Sequence, residues 1–163
     1  MVEAAPVALL FGKYEHMLDS KWRVTLPADL RSRFVTGPRN AVVSKYFEGC
    51  VAVWPPDVHQ ERLAKALPAL DGSKDDRWDA RALTGDSSLV DVDTQWRITI
   101  PAGYREYARL SLGEPVIIHG MLNHIELWRA EVWEANMAKR RKTVAGSASD
   151  IPVPAGGLPR EAE

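Results

Sequence analysis

The chain has 163 residues, 45% of them hydrophobic and 26% charged, and a net charge of −1, so it holds enough apolar material for one domain or two very small ones and lacks a uniformly basic surface of the kind that neutralises phosphates. Its single cysteine, Cys50, cannot close an internal disulfide, and His16, His59, His119 and His124 have none of the spacing of a zinc site, so neither staples nor a metal are expected. No run approaches the roughly 20 apolar residues of a membrane-spanning helix, and MVEAAPVALLF lacks a basic start, which points to a cytoplasmic protein without cofactor.

Residues 1–8 read as a flexible lead, and a first unit follows at 9–67. An approach segment, YEHML, runs into a polar loop, DSKWR, and then a short β-branched run, VTLP, that alternates like a strand. Pro27 closes that strand and suits the first turn of a helix, where its missing N–H loses no bond, so ADLRSRF reads as a short helix ended by Gly37. The apolar runs of AVVSKYFEGCVAVW form a hairpin stopped by Pro55 and Pro56, and DVHQERLAKAL has a helical pattern. Residues 68–82 begin polar and turn-rich, as a linker does. The second unit, 83–143, repeats the order with SSLVDV, DTQWR, ITIP, AGYREYARL ended by Gly113, the hairpin PVIIHGMLNHIELW, and AEVWEANMAKRRK. In that last helix acids lead and bases trail, which complements the helix dipole. Residues 144–163 are rich in Ala, Gly, Pro and Ser and read as a disordered tail.

The two units are copies. DSKWRVTLPADLR at Asp19–Arg31 and DTQWRITIPAGYR at Asp93–Arg105 lie 74 residues apart and share Asp, Trp, Arg, Thr, Pro, Ala and Arg in place. The same ungapped offset sets Val42 on Val116, Trp54 on Trp128 and Val58 on Val132. Rare tryptophans in register make duplication the reading, and the fold class is α/β in the broad sense (α+β): two pseudo-symmetric β-rich units with short helices.

The doubled D-x-x-W-R loop, with the proline four residues beyond its arginine, resembles the MraZ family, whose halves each carry D-x-K-G-R-x-x-x-P; the resemblance covers about Leu10 to Lys142. It implies an AbrB-like swapped-hairpin fold packed as one intertwined unit. It also implies a ring-like homo-oligomer and binding to short repeated DNA sites in the promoter of the division and cell-wall gene cluster, hence a nucleoid-associated, non-enzymatic transcription regulator. This chain departs from the pattern where Trp22 and Trp96 replace the family's glycine, a residue that commonly marks a positive φ.

For the loops, the expected division of labour is that Asp19, Asp93, Trp22 and Trp96 hold the structure while Lys21, Arg23 and Arg97 meet DNA, since a guanidinium fork suits phosphate and guanine alike. Lys13, Arg31 and Arg33 are secondary candidates, and Arg105 is left to a helix salt bridge. From Leu9 to Trp54 there are seven bases against four acids, whereas Leu83 to Trp128 has three against six, so the first copy is expected to dominate phosphate binding. Trp54 and Trp128 are assigned to packing, Cys50 to a small core position, Asp91 and Asp93 to no catalytic pair, and Lys139–Lys142 to a solvated helix end. The alternative is an antitoxin-like protein-interaction module, which the two copies followed by a polar tail disfavour.

Overall fold

In the computed structural model, which describes residues 8–35 and 39–143 (the last two by backbone alone), the lead strand of each copy is exchanged. Gly37, most of the expected flexible lead and the expected tail lie outside the described residues. Strand β1 (Leu10–Met17) pairs antiparallel along its whole length with β7 (Pro115–Leu122) of the second copy, and β5 (Ser87–Asp91) pairs with β3 (Asn40–Tyr46) of the first. With β4 (Cys50–Trp54) and β8 (Ile125–Arg129) they form one six-stranded sheet in the order β1-β7-β8-β4-β3-β5. The remaining strands, β2 (Arg23–Thr25) and β6 (Arg97–Thr99), pair with each other as a separate two-stranded ribbon. The intertwined arrangement is therefore the architecture of the chain.

Two pairings mark the internal pseudo-two-fold axis. In the ribbon Val24 faces its own duplicate, Ile98, and in the sheet Ala52 faces its duplicate, Glu126. The ungapped offset fails in one place. Trp54 and Trp128 are true mates, but they face Val42 and Ile117 respectively, so the structural counterpart of Val42 is Ile117 rather than Val116. Val116 and Ile118 join Ala41 and Val43 in the main core, while Val42 packs with Trp54 on the other face. A slip of one residue changes the face of every side chain on a strand, which is why the offset misassigns this pair.

Buried Val24, Leu26, Leu30, Phe34, Ile98 and Ile100 attach the ribbon and its flanks to one face of the sheet in a single core. The segment expected as a first helix, ADLRSRF, is two short 3-10 turns, Ala28–Leu30 and Ser32–Phe34. Its mate is a true helix preceding Gly113, here named α3 with range Ala102–Tyr107, which closes at Arg109 in the left-handed region (φ 57°) rather than at the glycine. Helix α1 (Pro56–Ala64) begins at the predicted prolines. The segment read as a linker carries helix α2 (Lys74–Gly85), begun by a capping box: Asp76 N–H donates to Ser73 Oγ, and Ser73 N–H donates to Asp76 Oδ2. Helix α4 (Ala130–Thr143) carries Glu131 in its first turn and exposed Lys139, Arg140 and Arg141 toward its end.

The opposite face of the sheet holds aromatic and ionisable groups. Trp54, buried as expected, donates its Nε1–H to Ser44 Oγ at 2.9 Å and stacks on His124 with ring centroids 4.2 Å apart. Glu126 accepts from Trp128 Nε1 at 3.2 Å and lies 3.3 Å from His124 Nε2 and 3.6 Å from His119 Nδ1. Burial opposes ionisation of Glu126, yet the neighbouring His119 and the bonds from His124 and Trp128 prevail and hold its carboxyl down to about 2, from an ordinary 4.5. His59 on α1 is buried, with neither ring nitrogen hydrogen-bonded among the described residues, and burial, then Arg62, lowers its pKa from 6.5. Cys50 is buried, and burial raises its thiol pKa, as suits a core residue.

The Glu126 and His59 shifts make the fold acid-sensitive, in different windows. The unfolded chain binds a proton at His59 more readily than the folded one, so stability falls as pH drops below 6.5. Glu126 adds stability above 4.5 that is lost as pH falls toward about 2, roughly 3 kcal/mol in all. Thermal melts followed by circular dichroism should decline in two stages below neutrality; His59→Leu should remove the upper stage, and Glu126→Gln should shrink the lower, to which the lowered carboxyls of Asp19 and Asp93 also contribute. A melting temperature that stays level from pH 7 to 3 would contradict both assignments.

Candidate nucleic-acid interface

Each loop is a turn built around one aspartate. In the first, Trp22 N–H donates to Asp19 O (2.9 Å) and Asp19 N–H donates to Arg23 O (3.0 Å). Asp19 Oδ1 accepts from the N–H groups of Lys21 and Arg23, each at 2.9 Å, and Oδ2 accepts from Arg23 Nε at 2.6 Å. The second loop repeats every bond: Trp96 N–H to Asp93 O and Asp93 N–H to Arg97 O at 3.0 Å, Gln95 and Arg97 N–H to Asp93 Oδ1 at 2.8 Å, and Arg97 Nε to Oδ2 at 2.7 Å.

Charge-assisted bonds of this kind favour the ionised carboxylate. For Asp19, desolvation raises the pKa, but the bonds from Arg23 and Lys21 outweigh it and the net shift is downward. For Asp93 the Arg97 backbone N–H is the leading cause of a lowered value. The aspartates thus orient the arginines through Nε, leaving the four N–H donors of each terminal fork outside that bond.

The ribbon sets the two loops side by side. Val24 and Ile98 are fully buried, so by strand alternation Arg23, Thr25, Arg97 and Thr99 project from the opposite face. Arg23 stands opposite Thr99 and Arg97 opposite Thr25. Their side chains are 25% and 27% exposed, and Lys21, at the tip of the first loop, is exposed where the second has Gln95.

Trp22 and Trp96 do occupy the left-handed region, at φ 60° and 61°. Their backbones tie the copies together, since Ile100 N–H donates to Trp22 O at 2.9 Å and Leu26 N–H to Trp96 O at 2.8 Å. Their indoles pack against the main core and meet arginines of the other copy: Arg105 lies 3.9 Å from the Trp22 ring centroid, and Arg39 and Arg31 lie 4.4 and 5.4 Å from that of Trp96.

Among the secondary candidates, only Arg31 stands beside a loop, and it is the second loop. Its Nε donates to Leu26 O at 2.8 Å. Arg33 is mostly covered, paired with Asp57 at 3.7 Å and with Ala8 O at 3.4 Å, and Lys13 lies on β1 opposite His119. Arg39 and Arg105 were not among the expected contacts. The fold therefore groups cations at both loops: Lys21, Arg23 and Arg105 at the first, and Arg97, Arg31 and Arg39 at the second. Among the described residues there is no group of three or more His, Cys, Asp or Glu placed to hold a metal, and no helix is long and apolar enough to cross a membrane.

The family model described as "MraZ protein, putative antitoxin-like" matches the chain twice, over residues 9–77 and 83–149. The chain is also similar to proteins named Transcriptional regulator MraZ. It is 30% identical to that of Lachnoclostridium phytofermentans over 143 residues, covering 88% of this chain and 97% of the relative. Identity is 31% with that of Corynebacterium kroppenstedtii, covering 84% and 92%, and 38% with that of a Nocardioides species, covering 75% and 81%.

Proposed function

The chain belongs to the MraZ family, and on that premise we propose that it is a transcription regulator that binds DNA sequence-specifically through the β2–β6 ribbon. The observation that carries this reading is the pair of aspartate-anchored arginines, Arg23 and Arg97, set on one face of that ribbon. A two-stranded ribbon fits the major groove, and pre-oriented guanidinium forks can meet guanine edges or phosphates there. The neighbouring threonines offer hydroxyls to the same surface. Nothing in this arrangement calls for a cofactor or a catalytic step.

In this reading the sites are short promoter repeats of the division and cell-wall gene cluster, and the protein is cytoplasmic and nucleoid-associated. Several chains join in a ring-like homo-oligomer, so modest contacts per chain gain from effective concentration. The sheet edges β1 and β5 supply surfaces for self-association: each has a backbone side that no strand pairs among the described residues, and Phe11 and Leu89 on them are 74% and 65% exposed. Selection from random duplexes by the full chain should enrich a short motif in direct repeats of regular spacing. Enrichment of isolated single sites would contradict the assembly, and no enrichment would contradict sequence-specific binding.

A further inference from the structure

Resting on that reading, we propose that Trp22 and Trp96 are positioning residues, and that each DNA-facing loop is completed by arginine from the other repeat, Arg105 at the first loop and Arg39 with Arg31 at the second. A left-handed φ strains any residue with a Cβ, and glycine would adopt it freely, yet both copies place tryptophan there, at φ 60° and 61°. What the indole contributes in both copies, and glycine would not, is a flat π face met by a guanidinium of the opposite repeat, at 3.9 Å for Arg105 and at 4.4 and 5.4 Å for Arg39 and Arg31.

The ring contact restricts the side chain, and Arg105 Nη1 also donates to Ile100 O at 3.5 Å; the guanidinium N–H donors outside such bonds are able to bond a phosphodiester. Backbone anchoring supports the same placement. Arg39 O accepts from Val92 N–H at 2.9 Å, immediately before Asp93, and Arg105 follows the Ile100 amide that bonds to Trp22. The ligand is the phosphate backbone flanking the bases under the ribbon, and each loop is functionally incomplete without the other repeat.

The test compares the unsubstituted full chain with Trp22→Gly, Trp22→Phe, Arg105→Ala and the double variant Trp22→Gly/Arg105→Ala. Each is titrated with a selected duplex at several salt concentrations and melted without DNA. Trp22→Gly should melt lower, because the core-packed indole is lost even though glycine relieves the φ strain, and should bind about fivefold more weakly at temperatures where it is folded. Arg105→Ala should lose as much and lower the log–log salt slope by about 0.9. The double variant should bind no worse than the weaker single one, and Trp22→Phe should retain most of the affinity. Losses that multiply in the double variant, or an Arg105→Ala chain that binds like the unsubstituted one, would overturn the inference. If Trp22→Gly unfolds, Arg105→Ala and Trp22→Phe still decide it. A folded unsubstituted chain that binds no duplex would instead overturn the DNA-binding reading beneath it.

Discussion

Arg23→Ala and Arg97→Ala should each weaken binding to a selected duplex about tenfold or more, and by similar amounts, in equilibrium titrations. A charge-assisted hydrogen bond contributes about 1.5–3 kcal/mol, which corresponds to roughly 10- to 100-fold in affinity. Similarity follows from geometry. Both arginines are held by the same bonds, at 2.6 and 2.7 Å from their aspartates, and they leave the same face of one ribbon. Charge counted along the chain would instead make Arg23 much the more important. A large loss from Arg23→Ala with none from Arg97→Ala would support that one-sided surface and contradict the folded one.

The largest stability effect should come from Ile98→Ala. Ile98 is 0% exposed, sits at the centre of the ribbon opposite Val24, and joins the main core. Truncating a buried isoleucine to alanine costs about 2–5 kcal/mol, which lowers the melting temperature of a chain this size by roughly 10 °C. Because the same residue fastens the ribbon to the sheet, binding should weaken even at temperatures where the variant remains folded. An unchanged melt would mean that the ribbon is not seated in the core as described.

Much of this was legible in residue order. The duplication, the paired loops, the strand after each loop and the two hairpins all follow from local patterns: prolines that end strands, turn residues between apolar runs, and aspartates placed to cap a turn. The slip between Val42 and Val116 was not legible, because both are β-branched and only strand pairing shows which face each takes. Helix α2 hid in a polar stretch, although Ser73 and Asp76 carry the spacing of a capping box. The arginines at the tryptophans were hidden for a topological reason. Exchange between copies brings Arg105 to Trp22 and Arg39 to Trp96, contacts across 83 and 57 residues of chain that no local window can pair. The charge windows miss this grouping for the same reason, since they count Arg31 and Arg39 with the copy that contains them rather than with the loop they stand beside.

The most direct test of a composite, cation-lined ribbon is the salt dependence of duplex binding by the full chain, measured between about 50 and 200 mM salt, where each phosphate contact contributes about 0.9 to the log–log slope. With six cations grouped at the two loops, the slope should be steeper than about −3. It should become shallower when the phosphate-facing cations of either loop are removed. Absence of duplex binding, or binding with a slope near zero, would contradict the account.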